Sequence, residues 1–566
     1  MGPFRRSPWS AAPAVAAFLV YAATLGAGFL YDDEAFLRTN RYVQDASLLV
    51  RLPAMPFLSS PAMGNTNYYR PVVGVLDNLT WHALSGRPLA FHLLSILLHM
   101  TNATLVMLLV RKTSAVLPFV AAGAGVLFAV HPLASEAVAW PSCLAELAFT
   151  AFGLGALLLH VSSWEAPAAL ARSRRLTACL LFGLSCGCKE TAVAFLPLLF
   201  LAELWLRPGG RIGSACRAVL PWIAVVGAFF AVRFAIIGGL AGGRGMRTAA
   251  QSLWNAPGLL LRYLRWMVVP SPLLIEHVVS LARGPGAAFA IGAAVLALAG
   301  AGVLRLRRSR PDLALAAALT VVPLLPALYL PALGRDPFAE RYAYLALAGF
   351  SWLVAGGVGS IAARPSGRVP AWVAPAVLYI LAIAGATRTV RRCGDWIDDG
   401  TLGHASVRDE PRAAIGYLLE GGWLKAEGRH EEAWRVYRAG LDAVPTSTEL
   451  PVKAVELGVE LRHLSHDDVL ALYERLVPLS RDSAPAQFNL GHALLEGGRL
   501  DAAHAAFARA LELVPDSAPS MTALAEVTLR QGDAASAEAL CRRALVLRPG
   551  DAATLAILEE AQKRAP

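Results

Sequence analysis

The chain has 566 residues, 56% hydrophobic and only 16% charged, with a net charge of +10, which is too apolar for an ordinary soluble protein. The charge is unevenly divided: residues 409–566 hold 17 basic and 24 acidic side chains, leaving 34 and 17 of the chain's 51 and 41 to residues 1–408. The basic excess therefore belongs to the apolar part, where basic loops set membrane topology, and it gives no argument for a nucleic-acid partner.

At the N-terminus Arg5 and Arg6 precede an apolar run over 11–30. The run is long for a signal-peptide core and reads as a retained first span. A helix needs about 20 apolar residues to cross the hydrocarbon core. On that measure about eleven spans are predicted, at 11–30, 91–110, 115–131, 143–161, 176–188, 191–206, 219–239, 286–304, 313–332, 342–362 and 371–388. With the N-terminus in the cytoplasm, every inside connection is basic, as the positive-inside rule requires. These connections carry Arg111 and Lys112, Arg172 to Arg175, Arg207 to Arg217, Arg305 to Arg310, and Arg364 with Arg368. The apolar stretches 71–85 and 257–275 would spoil that pattern as spans and read as amphipathic helices on the outer membrane surface. An odd span count puts the C-terminal region outside the cytoplasm. Arg388, Arg391 and Arg392, just after the last span, weigh mildly against that orientation.

Internal similarity begins near residue 412. Residues 482–515 and 516–549 are consecutive units with Ala503 and Ala537, Phe507 and Cys541, Ala510 and Ala544, and Pro515 and Pro549 at matching offsets. This is the tetratricopeptide signature of paired antiparallel helices. An earlier unit covers 412–445, a degenerate one covers 446–481, and 550–564 reads as a cap. The expected fold is thus all-α: a polytopic membrane domain over 1–390, a linker over 391–411, and a tetratricopeptide α-solenoid over 412–566. Such arrays bind peptides or partner proteins on a concave face.

Polar residues beside membrane spans are costly and are functional candidates. On the predicted outer side they form four clusters. Tyr31-Asp32-Asp33-Glu34 follows the first span; adjacent carboxylates suit a general base or a cation, and equally a helix cap. Tyr68-Tyr69-Arg70-Pro71 opens the helix that carries Asp77 and His82; Arg70 fits a phosphate or an interfacial anchor. His131-Pro132 with Glu136, Trp140 and Glu146 occupies a short connection. Lys189-Glu190-Thr191, together with Arg335-Asp336 and Glu340-Arg341-Tyr342, forms the fourth, able to neutralise a lipid phosphate or to pair locally.

Several of these stretches resemble one family. GAGFLYDD ending at Asp33, Tyr69-Arg70-Pro71, Phe91-His92 with His99, Leu127 to Pro132 with Glu136, Lys189-Glu190 and Ala339-Glu340-Arg341 are similar to those of the transmembrane and tetratricopeptide-repeat-containing O-mannosyltransferases. More broadly they resemble the polytopic GT-C glycosyltransferases. The resemblance runs over nearly the whole chain in the same order, although the repeat array is short beside those of animal members. It implies a polyprenyl-phosphate sugar donor, mannose by the family's chemistry, and a protein hydroxyl acceptor at the outer membrane face, with inversion. It also implies a catalytic carboxylate at Asp32 or Asp33, with Asp32 the better fit because it follows Tyr31.

On that reading Asp32 is the base and Asp33 orients the acceptor or holds a divalent cation. Arg70, Lys189 and Arg341 stabilise the leaving phosphate, while His131, Glu136, Glu190 and Glu340 shape the pocket. The repeats hold the acceptor. No Walker loop or dinucleotide fingerprint is present to bind a nucleotide. The Ala/Arg/Gly-rich composition points to a bacterial inner membrane. The alternatives are a lipid-linked-sugar transferase acting on cell-wall glycan or lipid, and a non-enzymatic anchored scaffold.

Overall fold

The computed structural model describes residues 8–57, 68–238, 248–330, 338–362, 370–479 and 483–564. Every regular element among them is helical. The chain forms two compact units, Met1–Leu402 and Gly403–Pro566. Residues 391–411, expected as a linker, are largely helical: helix Val373–Asp395 runs into them and Asp399–Asp409 follows.

Each of the eleven predicted spans overlaps helix, but among the described residues seven helices are long and apolar enough to cross a membrane, or eight with one bent pair. The difference has local causes. Helix Ala168–Cys188 carries Arg172, Arg174 and Arg175 in its first two turns, which shortens its apolar part. Phe195–Trp205 has 11 residues and follows a 3-10 turn over Glu190–Ala194. Ala346–Ala362 has 17. The run at 115–131 becomes Pro118–Ala129 followed, across a 51° bend, by Pro132–Ala139. Pro71–Ala83 is helical as expected. The stretch 257–275 is helical only to Val268, and residues 269–286 are irregular, as Pro270 and Pro272 demand.

The first unit is a multi-pass membrane domain. Helices Ile212–Ile237, Ala287–Leu306 and Val373–Asp395 expose Leu220, Ile223, Phe234, Ile291, Leu298, Tyr379 and Ile380. In water such a surface would be an aggregation site; in lipid it needs no cover. The protein-facing core gathers on Pro88–Thr113, Pro118–Ala129 and Leu144–Ser162. There Gly125 lies so near the Ala103 carbonyl that a Cβ would stand 2.7 Å from its oxygen. Two buried polar side chains of this core meet on one hydroxyl: Asn102 donates to the Tyr344 hydroxyl at 3.1 Å, and His99 Nδ1 lies 2.7 Å from the same oxygen.

Helix Leu144–Ser162 separates two polar ends. Glu146 sits in its first turn and His160 in its last, about 21 Å apart at 1.5 Å per residue. At the His160 end Glu203 accepts from His160, Trp164 and Arg207. Lys112 and Glu165, from two connections both expected inside, pair at 2.7 Å. The candidate site residues lie at the Glu146 end.

The second unit stacks helix pairs Ala414–Ala426 with His430–Ala443, Leu450–Glu460 with His466–Leu479, Ala484–Glu496 with Leu500–Leu513, and Ala518–Arg530 with Ala534–Leu547, followed by Ala552–Arg564. The degenerate segment is therefore also a helix pair. Two of the pairs meet through a ring on a glycine, Tyr437 on Gly421 and Phe507 on Gly491. Phe507, fully buried, fills the space beside Gly491, where a Cβ would stand 2.6 Å from the ring; in the next pair the partners are Cys541 and Ala525. Gly491→Ala is accordingly expected to cost about 1–3 kcal/mol by overpacking, read as faster limited proteolysis of the repeats with Gly422→Ala, whose Cβ would meet only the Tyr437 hydroxyl at 3.9 Å, as the comparison; equal cleavage of Gly491→Ala and wild type would refute the packing argument.

Candidate active site: an acidic turn and a cationic cleft

The acidic turn follows the first span, Trp9–Gly26. Tyr31 sits at φ +49, a region that non-glycine residues rarely occupy. It is held there from two sides: its N–H donates to Asp399 Oδ1 at 2.8 Å, and its ring lies 5.6 Å from that of Trp140. This strained residue sets the directions of the next two side chains. Asp32 is half-buried, whereas Asp33 is fully buried. Asp33 Oδ2 accepts from the Leu30 N–H at 3.0 Å, and Oδ1 accepts from the Ser142 N–H at 2.9 Å and from the Ser142 hydroxyl. Asp33 is thus turned inward, not toward an acceptor as expected. It ties the acidic turn to the turn Pro141–Cys143.

Burial pushes the Asp33 carboxyl up to about 7, against the hydrogen bonds from Ser142 and Leu30 and with the Asp32 charge adding to the rise. Asp77, on the buried face of Pro71–Ala83, is pushed well above the carboxylate range by burial and then by Asp33, and its Oδ1 has no hydrogen-bond partner. A folded value above the unfolded one means that folding favours the neutral acid. For Asp33 that stability is full below the unfolded value near 3.8 and is lost as pH rises through about 7. The melting temperature of the purified protein is expected to fall between about pH 4 and pH 7, and Asp33→Asn to flatten that interval. An unchanged slope in the variant would assign it to other groups.

The bend at Ala129 is capped by His131. Its Nδ1 accepts the Leu133 N–H at 3.2 Å, and its Nε2 is 2.9 Å from the Met267 carbonyl. Both ring nitrogens are committed to backbone, so His131 shapes the bend and offers nothing to a ligand. Glu136, fully buried just beyond it, accepts from the Arg341 N–H at 2.7 Å and from the Arg341 guanidinium. Arg341 Cζ stands 5.5 Å from the Trp140 ring centroid and 5.1 Å from that of Tyr342. Lys189 Nζ lies 5.0 Å over the same Tyr342 ring and pairs with Glu146. Trp140 therefore touches both the acidic turn, through Tyr31, and the cationic cleft, through Arg341.

Lys189, Arg341, Tyr342, Thr191 and Phe149 line one narrow cleft with the apolar Pro323, Ala327 and Leu345. The Thr191 hydroxyl is buried there without a hydrogen-bond partner. Arg70 Nε approaches Glu190 Oε2 at 3.5 Å, and Arg233 Nη1 binds Glu190 Oε1 at 2.7 Å. Glu340 lies apart from the cleft-lining residues: fully buried, it accepts the Leu274 N–H and stands 3.4 Å from His277, so it anchors the irregular segment. Arg335 and Asp336 lie outside the described residues. For a cation at Asp32 and Asp33 the donors do not fit: both Asp33 oxygens are taken by hydrogen bonds, and among the described residues no three His, Cys, Asp or Glu gather as a metal site.

Residues 488–552 match the family model described as tetratricopeptide repeat. The protein O-mannosyl-transferase Tmtc1 of Drosophila melanogaster is 34% identical over 203 residues, which is 35% of this chain and 23% of that protein. The protein O-mannosyl-transferase TMTC4 of Mus musculus is 24% identical over 479 residues, covering 74% of this chain and 64% of its own length. The chain is similar to the tetratricopeptide-repeat protein O-mannosyl-transferases. Its match to the Drosophila transferase and to F38B6.6 of Caenorhabditis elegans spans 23% and 22% of those proteins. Among solved structures, the tetratricopeptide-repeat protein YrrB is 19% identical, covers 32% of this chain and 92% of its own, and superposes with a TM-score of 0.25; for MamA the values are 23%, 27%, 87% and 0.24.

Proposed function

We propose that this protein is a membrane glycosyltransferase that moves a sugar from a polyprenyl-phosphate donor to a hydroxyl of a protein acceptor, with inversion. The observation that carries the reading is the cleft in which Lys189 and Arg341 stand beside Pro323, Ala327 and Leu345, because an anionic head group on an apolar tail asks for that combination. The similarity to protein O-mannosyl-transferases supports mannose as the sugar and protein as the acceptor.

In this reaction the acceptor oxygen bonds to the anomeric carbon while the bond from that carbon to the phosphate oxygen breaks. Asp32 takes the proton. The phosphate leaves with one more negative charge than it carried in the donor, and Arg70, Lys189 and Arg341 stabilise that growing charge. Asp33 acts behind Asp32 by holding the acidic turn against Ser142. Glu136 and Glu146 fix the two cations they pair with. The lipid chain lies in the bilayer, and the reaction belongs to the outer face, the face opposite the basic connections. The repeats bind the acceptor and raise its effective concentration at the membrane.

The test supplies membranes containing the protein with radiolabelled polyprenyl-phosphate mannose and acceptor lysate. Label is expected in protease-sensitive material. Label in glycan or lipid would replace the acceptor class, and no label in any fraction would leave a membrane-anchored scaffold.

A further inference from the structure

Helix Ile212–Ile237 is apolar and turns most of its surface outward, yet it carries one arginine near its end. Val232 and Phe234 on either side are exposed, whereas Arg233 is fully buried. A guanidinium on a membrane helix is retained only against a partner that returns its desolvation cost. One turn earlier Phe229 packs on the Tyr69 ring, with centroids 5.8 Å apart. The helix thus presents two residues of one face to the Tyr69-Arg70 segment and to Glu190.

The distances within the trio decide its meaning. Arg233 Nη1 is 2.7 Å from Glu190 Oε1, a charge-assisted hydrogen bond. Arg70 Nε is 3.5 Å from Glu190 Oε2 and, although buried, donates no hydrogen bond. Glu190 is therefore hydrogen-bonded to Arg233 and paired with Arg70 through charge without a hydrogen bond at Nε. Glu190 stands between two guanidiniums, while Lys189 pairs with Glu146 and Arg341 with Glu136. Arg70 lines a neighbouring pocket with Phe57, Pro71 and Gly74, and Glu190, which directly follows the cleft residue Lys189, links that pocket to the cleft.

We infer that Arg233 is a positioning residue of the donor-phosphate site: by holding Glu190 it keeps that carboxylate from closing on Arg70 and leaves the Arg70 donors for an anionic lipid phosphate. The inference rests on the transferase reading above. Without Arg233, Glu190 would swing into a forked ion pair with Arg70 and compete with the phosphate for the same N–H groups.

The experiment uses the full chain in lipid nanodiscs and undecaprenyl phosphate, without sugar, as the probe. Arg233→Met is expected to weaken binding at least about tenfold, the scale of losing a hydrogen bond to a charged group. Glu190→Gln is expected to bind at least as tightly as wild type, because the competitor has lost its charge, and the double variant to recover most of the loss. In transfer assays the Arg233→Met defect is expected in KM for the lipid donor and not in kcat. A structural ion pair predicts otherwise: Glu190→Gln would weaken binding as much as Arg233→Met, and that result overturns the inference, as does wild-type binding by Arg233→Met. If Arg233→Met does not yield folded protein, Glu190→Gln decides alone. Wild type that binds the lipid phosphate but transfers no sugar sinks the transferase reading and leaves the inference standing; wild type that binds no lipid phosphate overturns both.

Discussion

Asp32→Asn is expected to lower sugar transfer about 10²–10⁴-fold, the usual worth of a general base, with the loss in kcat. Asparagine keeps the shape of the side chain and removes its ability to accept a proton. The two carboxylates of the acidic turn differ in what surrounds them. Asp33 is wholly enclosed and spends both oxygens on Leu30 and Ser142, so it has none left for an incoming hydroxyl. Asp32 is half-buried beside it, open enough to meet an acceptor and close enough to raise the Asp33 carboxyl by its charge. The comparison of the two asparagine variants at matched membrane expression is therefore decisive. Asp33→Asn is expected to act first on stability and its pH dependence, and Asp32→Asn on the chemical step. Normal turnover by Asp32→Asn together with an inactive, well-folded Asp33→Asn would transfer the base role to the inner carboxylate.

The architecture was readable because its signals are periodic and cumulative. Apolar runs bounded by arginines located the membrane helices, and small residues at fixed offsets located the helix pairs of the repeats. What misled was local. Arg172, Arg174 and Arg175 lie inside the helix they were expected to precede, and Pro270 with Pro272 ends a helix that hydropathy alone would continue. At the site, the residue types were legible and their partnerships were not. Asp33 meets Ser142 across 109 positions and Arg341 meets Glu136 across 205, separations over which no spacing rule operates. His131 was expected to shape the pocket and is a cap, because a histidine before a proline has the same sequence whether its nitrogens face a pocket or a backbone. Arg233 is the instructive omission. A lone arginine in an apolar run of membrane length carries its own warning, since its burial there requires a partner. Asp77 carried a weaker form of the same warning, on a helix expected to lie at the surface.

Arg341→Met is expected to have the second large effect, and for two separable reasons. Its guanidinium is a candidate to meet the growing phosphate charge, so the chemical step is expected to slow about 10²–10³-fold, as when a preorganised charge-stabilising donor is removed. Its removal also strands Glu136, which is fully buried and has Arg341 as its ion-pair partner; breaking a buried pair from one side costs about 3–5 kcal/mol. A double-mutant cycle separates the two. Glu136→Gln with Arg341→Met removes both charges, so most of the stability loss is expected to return while transfer stays low. Arg341→Lys sharpens the test. Lysine keeps the charge but cannot lie flat against Trp140 and Tyr342, and it lacks the planar fork that reaches Glu136. Partial transfer by Arg341→Lys would show that charge is what the phosphate needs. Full recovery of transfer in the charge-free double variant would reduce Arg341 to a strut, and the cationic cleft would then have to work through Lys189 and Arg70 alone.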